Sequence, residues 1–146
     1  MHIEVDQSGK IEQFNKDTYI AFSNDEQHCI KLPKNIKQQI SFEYRRKVHQ
    51  LIQKAFAISI YYCLENYLSN KRLIRIDEEY PGWESFIKRE LVNLIKNKHA
   101  NFDKDVIAFN KITKDSRAHK LALRSYREEE RPNRILNKGN ILRWLK

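Results

Sequence analysis

Residues 2–6 read HIEVD and residues 73–77 read LIRID. The first run alternates apolar and polar side chains, a period of two that predicts a β-strand with one buried face. The second run predicts another strand. Each run ends at an aspartate, Asp6 and Asp77. If the two strands are neighbours, these two carboxylates lie side by side at one end of a sheet.

Around these two runs the chain predicts three more strands and three helices. The strands fall at 18–22 (TYIAF), 29–32 and 106–112, and the helices at 35–70, 83–98 and 116–126. The first helix has an apolar residue at every fourth position, with Asn35 as its N-cap, and its unusual length indicates a possible break into two. The order β-β-β-α-β-α-β-α predicts an α/β fold, a mixed five-stranded sheet flanked by helices.

The organisation of the chain is predicted to be simple. The first three strands are joined by short connections, which favours an antiparallel meander. Residues 1–130 are assigned to a single domain and residues 131–146 to a basic C-terminal tail.

The net charge of the chain favours one kind of partner, and its few glycines exclude some classes of enzyme. The chain has 146 residues, with 28 Lys+Arg against 19 Asp+Glu and a net charge of +9. This surplus favours a polyanionic partner, nucleic acid before an anionic membrane surface. It is concentrated in residues 35–72 (+5) and 111–146 (+7). The three glycines lie far apart, which excludes glycine-rich phosphate loops and the G-x-S-x-G motif of serine hydrolases.

The cysteines and the apolar runs favour a cytoplasmic protein. Cys29 and Cys63 have no C-x-x-C partner, so they predict no zinc knuckle. Residues 1–9 lack the pattern of a secretion signal, and the longest apolar stretch, residues 55–64, is too short to span a bilayer. We therefore expect a reducing compartment and no membrane partner.

Acidic residues follow two of the strands and precede the last helix. Asp77 opens an acidic run with Glu78, and Asp115 and His119 lie at the start of the last helix. Carboxylates and an imidazole at one end of a sheet form an oxygen-rich site that suits Mg²⁺ or Mn²⁺. We expect Asp6, Asp77 and Glu78 to bind the metal, and His119 or Asp115 to complete a site for phosphodiester hydrolysis.

Each of these residues also has an ordinary structural interpretation. Asp6 lies in the sequence DQSG, which is turn chemistry in which an aspartate bonds to its own backbone. The acidic run after Asp77 fits a solvated loop. Asp115 fits a helix N-cap and His119 a surface position. The coincidence of three such groups at matched places in the topology favours the metal site.

Three short motifs resemble the ribonuclease H-like superfamily, and RuvC-type nuclease domains in particular. They are V-D-x-S-G at 5–9, Asp77-Glu78 after the fourth strand, and A-H-K-L-A at 118–122. The resemblance implies an acid at the end of the first strand, another at the end of the fourth, and an acid or histidine on the last helix. By position these are Asp6, Asp77 or Glu78, and His119.

The chain departs from the family pattern on two helices. RuvC-type domains carry two acids three residues apart on the last helix, where this chain has Ser116 and His119. The classical ribonuclease H type places an acid inside the first helix, where this chain offers Glu43 or Glu65. A non-catalytic nucleic-acid-binding or adaptor protein on the same fold is therefore the alternative function.

Basic residues of the last helix and the tail predict the nucleic-acid surface. Their spacing of three or four places several of them on one helix face. They are Arg117, Lys120, Arg124, Arg127, Arg131 and Arg134. Trp144 is expected either to stack on a base or to dock the tail onto the domain. DNA or RNA is the expected partner; a homodimer, or a protein bound through the first helix, would accompany the non-catalytic alternatives.

Overall fold

A mixed sheet flanked by helices forms the centre of the fold. The computed structural model describes residues 2–23, 26–68 and 72–145. The strands in these ranges are β1 (His2–Ser8), β2 (Thr18–Ser23), β3 (Gln27–Leu32), β4 (Leu73–Asp77), β5 (Ile107–Asn110) and β6 (Arg134–Ile135). The helices are α1 (Lys34–Tyr44), α2 (Leu51–Leu64), α3 (Glu84–Lys96), α4 (Arg117–Tyr126) and α5 (Lys138–Leu145). The predicted α/β class is confirmed.

The strand order of the sheet is β5-β4-β1-β2-β3-β6. β1, β2 and β3 form the expected antiparallel meander, and β4 and β5 are added in parallel on the other side of β1. The prediction of five strands was wrong by one, because β6 pairs in parallel with β3. β6 has only two residues, too few for any periodicity to show in the sequence.

Residues 131–146, expected to be a basic tail, contribute β6 and α5. Leu136, Ile141 and Leu145 from this segment are buried in the main core. Burying an aliphatic side chain of this kind stabilises a fold by about 1.5–3 kcal/mol. The segment therefore has an apolar side that holds it against the sheet and α2.

The first predicted helix is broken into α1 and α2. Residues 45–50 join the two helices, and Gln50 has a left-handed backbone with φ of 58°. α1 begins at Lys34 with Pro33 as its N-cap residue, one position before the predicted start. The predicted end near residue 70 lies outside the described residues, and α2 itself ends at Leu64.

The two faces of the sheet are covered unequally. α1, α2, α3 and α5 pack on one face and form the main core. α4 covers part of the other face, where Leu121 and Ala122 pack on Ala21 and Cys29. Alternation along β1 sends Val5 into the main core and Asp6 to the α4 side. No helix in residues 2–23, 26–68 and 72–145 has the length and apolar content needed to cross a bilayer.

Candidate metal centre

The ends of the β1–β4 ladder bring two aspartates together. The parallel register places Val5 beside Ile76, and the ladder ends there. The next residues, Asp6 and Asp77, therefore lie next to each other at the same edge of the sheet. Carboxylate oxygens of Asp6, Asp77 and Glu79 all lie within 4.8 Å of one another. The expected juxtaposition of Asp6 and Asp77 is confirmed, and three side chains at this separation can share one cation.

Glu79, rather than Glu78, is the third acid of this cluster. The backbone N–H of Glu78 donates to the carbonyl oxygen of Asn110 at 3.2 Å, and its side chain is exposed. Among the described residues, Glu78 belongs to no group that could hold a metal ion. β4 ends at Asp77, and the Glu79 N–H donates to the Asp77 carbonyl oxygen at 2.9 Å, so a turn and not the alternation of the strand places Glu79 in the cluster.

Asp6 is fixed by two hydrogen bonds. Its side chain is 4% exposed. Oδ1 accepts from the backbone N–H of Gln7 at 2.8 Å, and Oδ2 lies 2.7 Å from Nδ1 of His119. Burial raises the pKa of Asp6, the bonds from Gln7 and His119 oppose that shift, and the charge of Asp77 adds to it. Asp6 is thus oriented as a ligand while its negative charge is poorly solvated.

Asp77 and Glu79 are the other two acids of the cluster. Asp77 Oδ1 accepts from the backbone N–H of Ile112 at 2.7 Å, which ties the carboxylate to the segment between β5 and α4. The pKa of Glu79 is raised to about 8, first by burial, then by the hydrogen bond and charge of Asp77 and the charge of Asp6, while the ammonium of Lys10 lowers it. The cluster accumulates more negative charge than the surrounding protein neutralises.

His119 joins the cluster from α4, whereas Asp115 does not. The His119 side chain is 30% exposed. Its Nδ1 faces Asp6, so a proton on Nδ1 leaves Nε2 as an acceptor. Asp115 is exposed and lies outside the cluster formed by the described residues. Ser116 is the N-cap of α4, and its Oγ accepts from the Ala118 N–H at 3.2 Å.

Most of the predicted basic residues are on the surface. Arg117, Lys120, Arg127 and Arg131 are exposed. Arg124 is partly exposed, and its Nε lies 3.6 Å from a carboxylate oxygen of Glu130. Arg117 and Lys120 lie on the same helix as His119 and flank it in sequence. Side chains one or two residues apart on a helix do not face each other, so closeness to His119 in sequence does not place either cation over the acidic cluster.

Arg134, Glu65 and Trp144 have structural partners. Arg134, in β6, forms an ion pair with Glu65 and lies over the ring of Tyr62 at 4.8 Å from the ring centre. Glu65 also lies 3.8 Å from Lys98 Nζ and is outside the acidic cluster. Trp144 Nε1 donates to the Tyr62 hydroxyl at 2.9 Å. The tryptophan docks α5 onto α2, the second of the two roles expected for it.

The donor set fits a hard divalent cation. The three acids offer only oxygen ligands, and Mg²⁺ and Mn²⁺ prefer oxygen. A cation would also stabilise the ionised forms of Asp6 and Glu79, whose pKa values are raised mainly by burial and then by the neighbouring acids. Free cysteines do not compete for it here, because Cys29 and Cys63 are both buried with raised thiol pKa values.

Comparison with known proteins gives no independent identification. A scan against protein-family models, a search of curated proteins and a search of solved structures each found no match. The geometry of the acidic cluster is therefore the evidence on function.

Proposed function

We propose that this protein is a Mg²⁺- or Mn²⁺-dependent nuclease of the ribonuclease H-like type. It would hydrolyse phosphodiester bonds in structured DNA or RNA. The observation that carries the proposal is the convergence of Asp6, Asp77 and Glu79 within 4.8 Å, with His119 hydrogen-bonded to Asp6. The adjacency of the first and fourth strands that this site requires supports the same proposal.

The roles of the side chains follow from their contacts. Asp6, Asp77 and Glu79 would hold the cation, which when bound supplies Lewis-acid polarisation of a phosphate oxygen. The Ile112 N–H donates to Oδ1 of Asp77 and keeps this carboxylate oriented. Asp6 holds the His119 ring, and Nε2 would accept a proton from the attacking water. Arg117 and Lys120 would hold flanking phosphates.

One observation favours the non-catalytic alternative. Both carboxylate oxygens of Asp6 already have a hydrogen-bond partner, Gln7 for one and His119 for the other. A nucleic-acid-binding or adaptor protein could keep this arrangement as a structural network. That alternative predicts salt-sensitive binding of nucleic acid with no cleavage.

The variant Asp77→Asn distinguishes the nuclease from the non-catalytic alternative. We expect wild-type protein to cut nucleic acid in Mn²⁺ or Mg²⁺, and Asp77→Asn to lose at least about 100-fold in rate, since it removes a charged ligand. Asp115→Asn, an exposed acid outside the cluster, is the matched control and should cut like wild type. Equal cutting by both variants would assign the activity to a contaminant, and binding without any cutting would establish the alternative.

A further inference from the structure

The corner between α1 and α2 carries a concentration of positive charge away from α4. We define the α1–α2 corner as residues 45–50. Arg45, Arg46, Lys47 and His49 in it are exposed. The sequence has no acidic residue from 44 to 64. Within the described parts of the chain, no carboxylate pairs with these side chains. The cations are therefore available to a polyanion.

An aromatic side chain and an open hollow adjoin these cations. Phe42, in the last turn of α1, is 86% exposed. α1 ends at Tyr44, and Arg45 and Arg46 follow directly in the turn after it, three and four residues beyond Phe42. A hollow of about 450 Å³ opens beside the corner, with Phe14, Arg45, Arg46 and His49 among its walls. Exposed aromatic rings beside arginines are typical of surfaces on which single-stranded bases stack.

The corner is joined to the acidic cluster by the loop between β1 and β2. Lys10 of this loop lies close enough to Glu79 for its charge to lower the Glu79 pKa, and Phe14 of the same loop lines the hollow. α1 anchors the loop along its length. Buried Lys37 donates from Nζ to the carbonyl oxygens of Lys10 (3.2 Å) and Gln13 (2.8 Å), and Gln38 Nε2 donates to the Phe14 carbonyl oxygen at 2.8 Å.

We propose that the α1–α2 corner binds a single-stranded segment of nucleic acid, with its cations on the phosphates and Phe42 stacked on a base. The strand would continue past Lys10 to the acidic cluster, so this continuity rests on the proposed nuclease function. Binding by the corner does not require cleavage. An anionic membrane is less well matched, because Phe42 is the one large apolar side chain that the described residues expose at this corner, while the apolar walls of the hollow, such as Phe14 and Val48, are partly buried.

Binding of labelled 20-nucleotide single strands, DNA and RNA in separate titrations, tests the proposal. The full chain is used in EDTA, so that cleavage cannot alter the signal. We expect Arg45→Ala/Arg46→Ala to raise Kd about 10-fold at 0.1 M salt and to lower the salt slope by about 1.4, the value for two lost phosphate contacts on a single strand. The control Lys96→Ala/Lys104→Ala removes two exposed charges at the end of α3 and just before β5, outside the corner, and should change Kd less than about 3-fold.

The aromatic contact has its own pair of variants. Phe42→Ala should raise Kd about 10-fold, whereas Phe42→Trp, which keeps a stacking ring, should bind like wild type. Equal binding by the corner variants and the control pair would overturn the proposal. Preference for the matched duplex, unaffected by Phe42→Ala, would overturn the single-strand assignment, as would binding of phosphatidylserine vesicles in place of either strand.

The outcomes also separate this proposal from the nuclease proposal. If the corner variants weaken binding but the wild type never cuts in Mn²⁺, the corner assignment stands and the nuclease function fails. If the wild type cuts and the corner variants bind as tightly as wild type, the corner assignment alone fails. Thermal unfolding of each variant verifies that the fold is intact, which is expected because all the substituted side chains are exposed.

Discussion

The acidic cluster and the Glu65 site show two ways of burying a carboxylate in one fold. Glu65, at 12% side-chain exposure, has the Arg134 guanidinium as its partner. Asp6, at 4%, has an imidazole on one oxygen and two further acids within 4.8 Å. Charge is neutralised inside the protein at Glu65 and left in excess at Asp6. A buried excess of one sign costs stability unless something outside the chain compensates it, which is a mark of a binding site.

The largest expected effect is a loss of cutting rate on substitution of Glu79 that substitution of its neighbour Glu78 does not cause. Glu79→Gln should lower the Mn²⁺-dependent cutting rate about 100-fold, because it removes a charged ligand while keeping the side-chain shape. Glu78→Gln, an exposed acid one residue earlier, should stay within about 3-fold of wild type. Cutting rates at fixed substrate and a titration with Mn²⁺ measure the difference. A larger loss in Glu78→Gln would show that the third ligand has been misassigned.

The same glutamate-to-glutamine change at Glu65 should act on stability. It leaves Arg134 without its anion beside the Tyr62 ring, and we expect a loss of about 1–3 kcal/mol in the free energy of unfolding. Lys98, 62% exposed and 3.8 Å from Glu65, contributes far less, so Lys98→Ala should cost under about 0.5 kcal/mol. Urea unfolding measures both. Should Lys98→Ala cost as much as Glu65→Gln, the Arg134 pair would not be the stabilising contact.

The two sites were not equally predictable from the sequence. Asp6 and Asp77 could be predicted because each ends a run with a local strand pattern, and parallel pairing aligns the two runs, although β1 itself continues to Ser8. Glu79 was missed as a ligand because it lies just beyond β4, where the chain has no periodic pattern to say which face follows. Arg134 was predicted to lie on the nucleic-acid surface. Its ion pair with Glu65 could not be predicted, because the two residues are 69 positions apart in the chain and only the tertiary structure brings them together.

In the fold too, elements that depend on local sequence were predicted, and features that depend on distant residues were not. β4 was predicted at its observed bounds, and the helices α3 and α4 were predicted to within two residues. The break after α1 was expected from the length of the predicted helix, but no Gly or Pro marks its position, and β6 exists only because β3 offers it an edge. Features that depend on a neighbouring element, rather than on their own residues, could not be located from the sequence.

The smallest expected effect is the pH dependence of stability without metal, and it tests the burial of Glu79 beside the two aspartates. The folded-state pKa of Glu79 is raised from 4.5 to about 8, so between these values the folded protein binds more protons than the unfolded chain. Stability from this group is therefore highest below about pH 4.5 and falls as pH rises towards 8. Solvent screening at a partly exposed side chain limits the change to about 1–2 kcal/mol.

Glu79→Gln should remove this part of the pH dependence and make the metal-free variant more stable than wild type at pH 8, although it is the variant expected to lose activity. Urea unfolding in EDTA at pH 5 and pH 8 measures the difference, and Glu78→Gln is again the matched control. Mn²⁺ should restore wild-type stability at pH 8 and do less for Glu79→Gln, because a ligand that binds only the folded state stabilises it. A wild type whose stability does not fall between pH 5 and pH 8 relative to Glu79→Gln would mean that the cluster holds no excess charge. The contrast with Glu65 would then disappear, and with it the argument that an external cation completes this site.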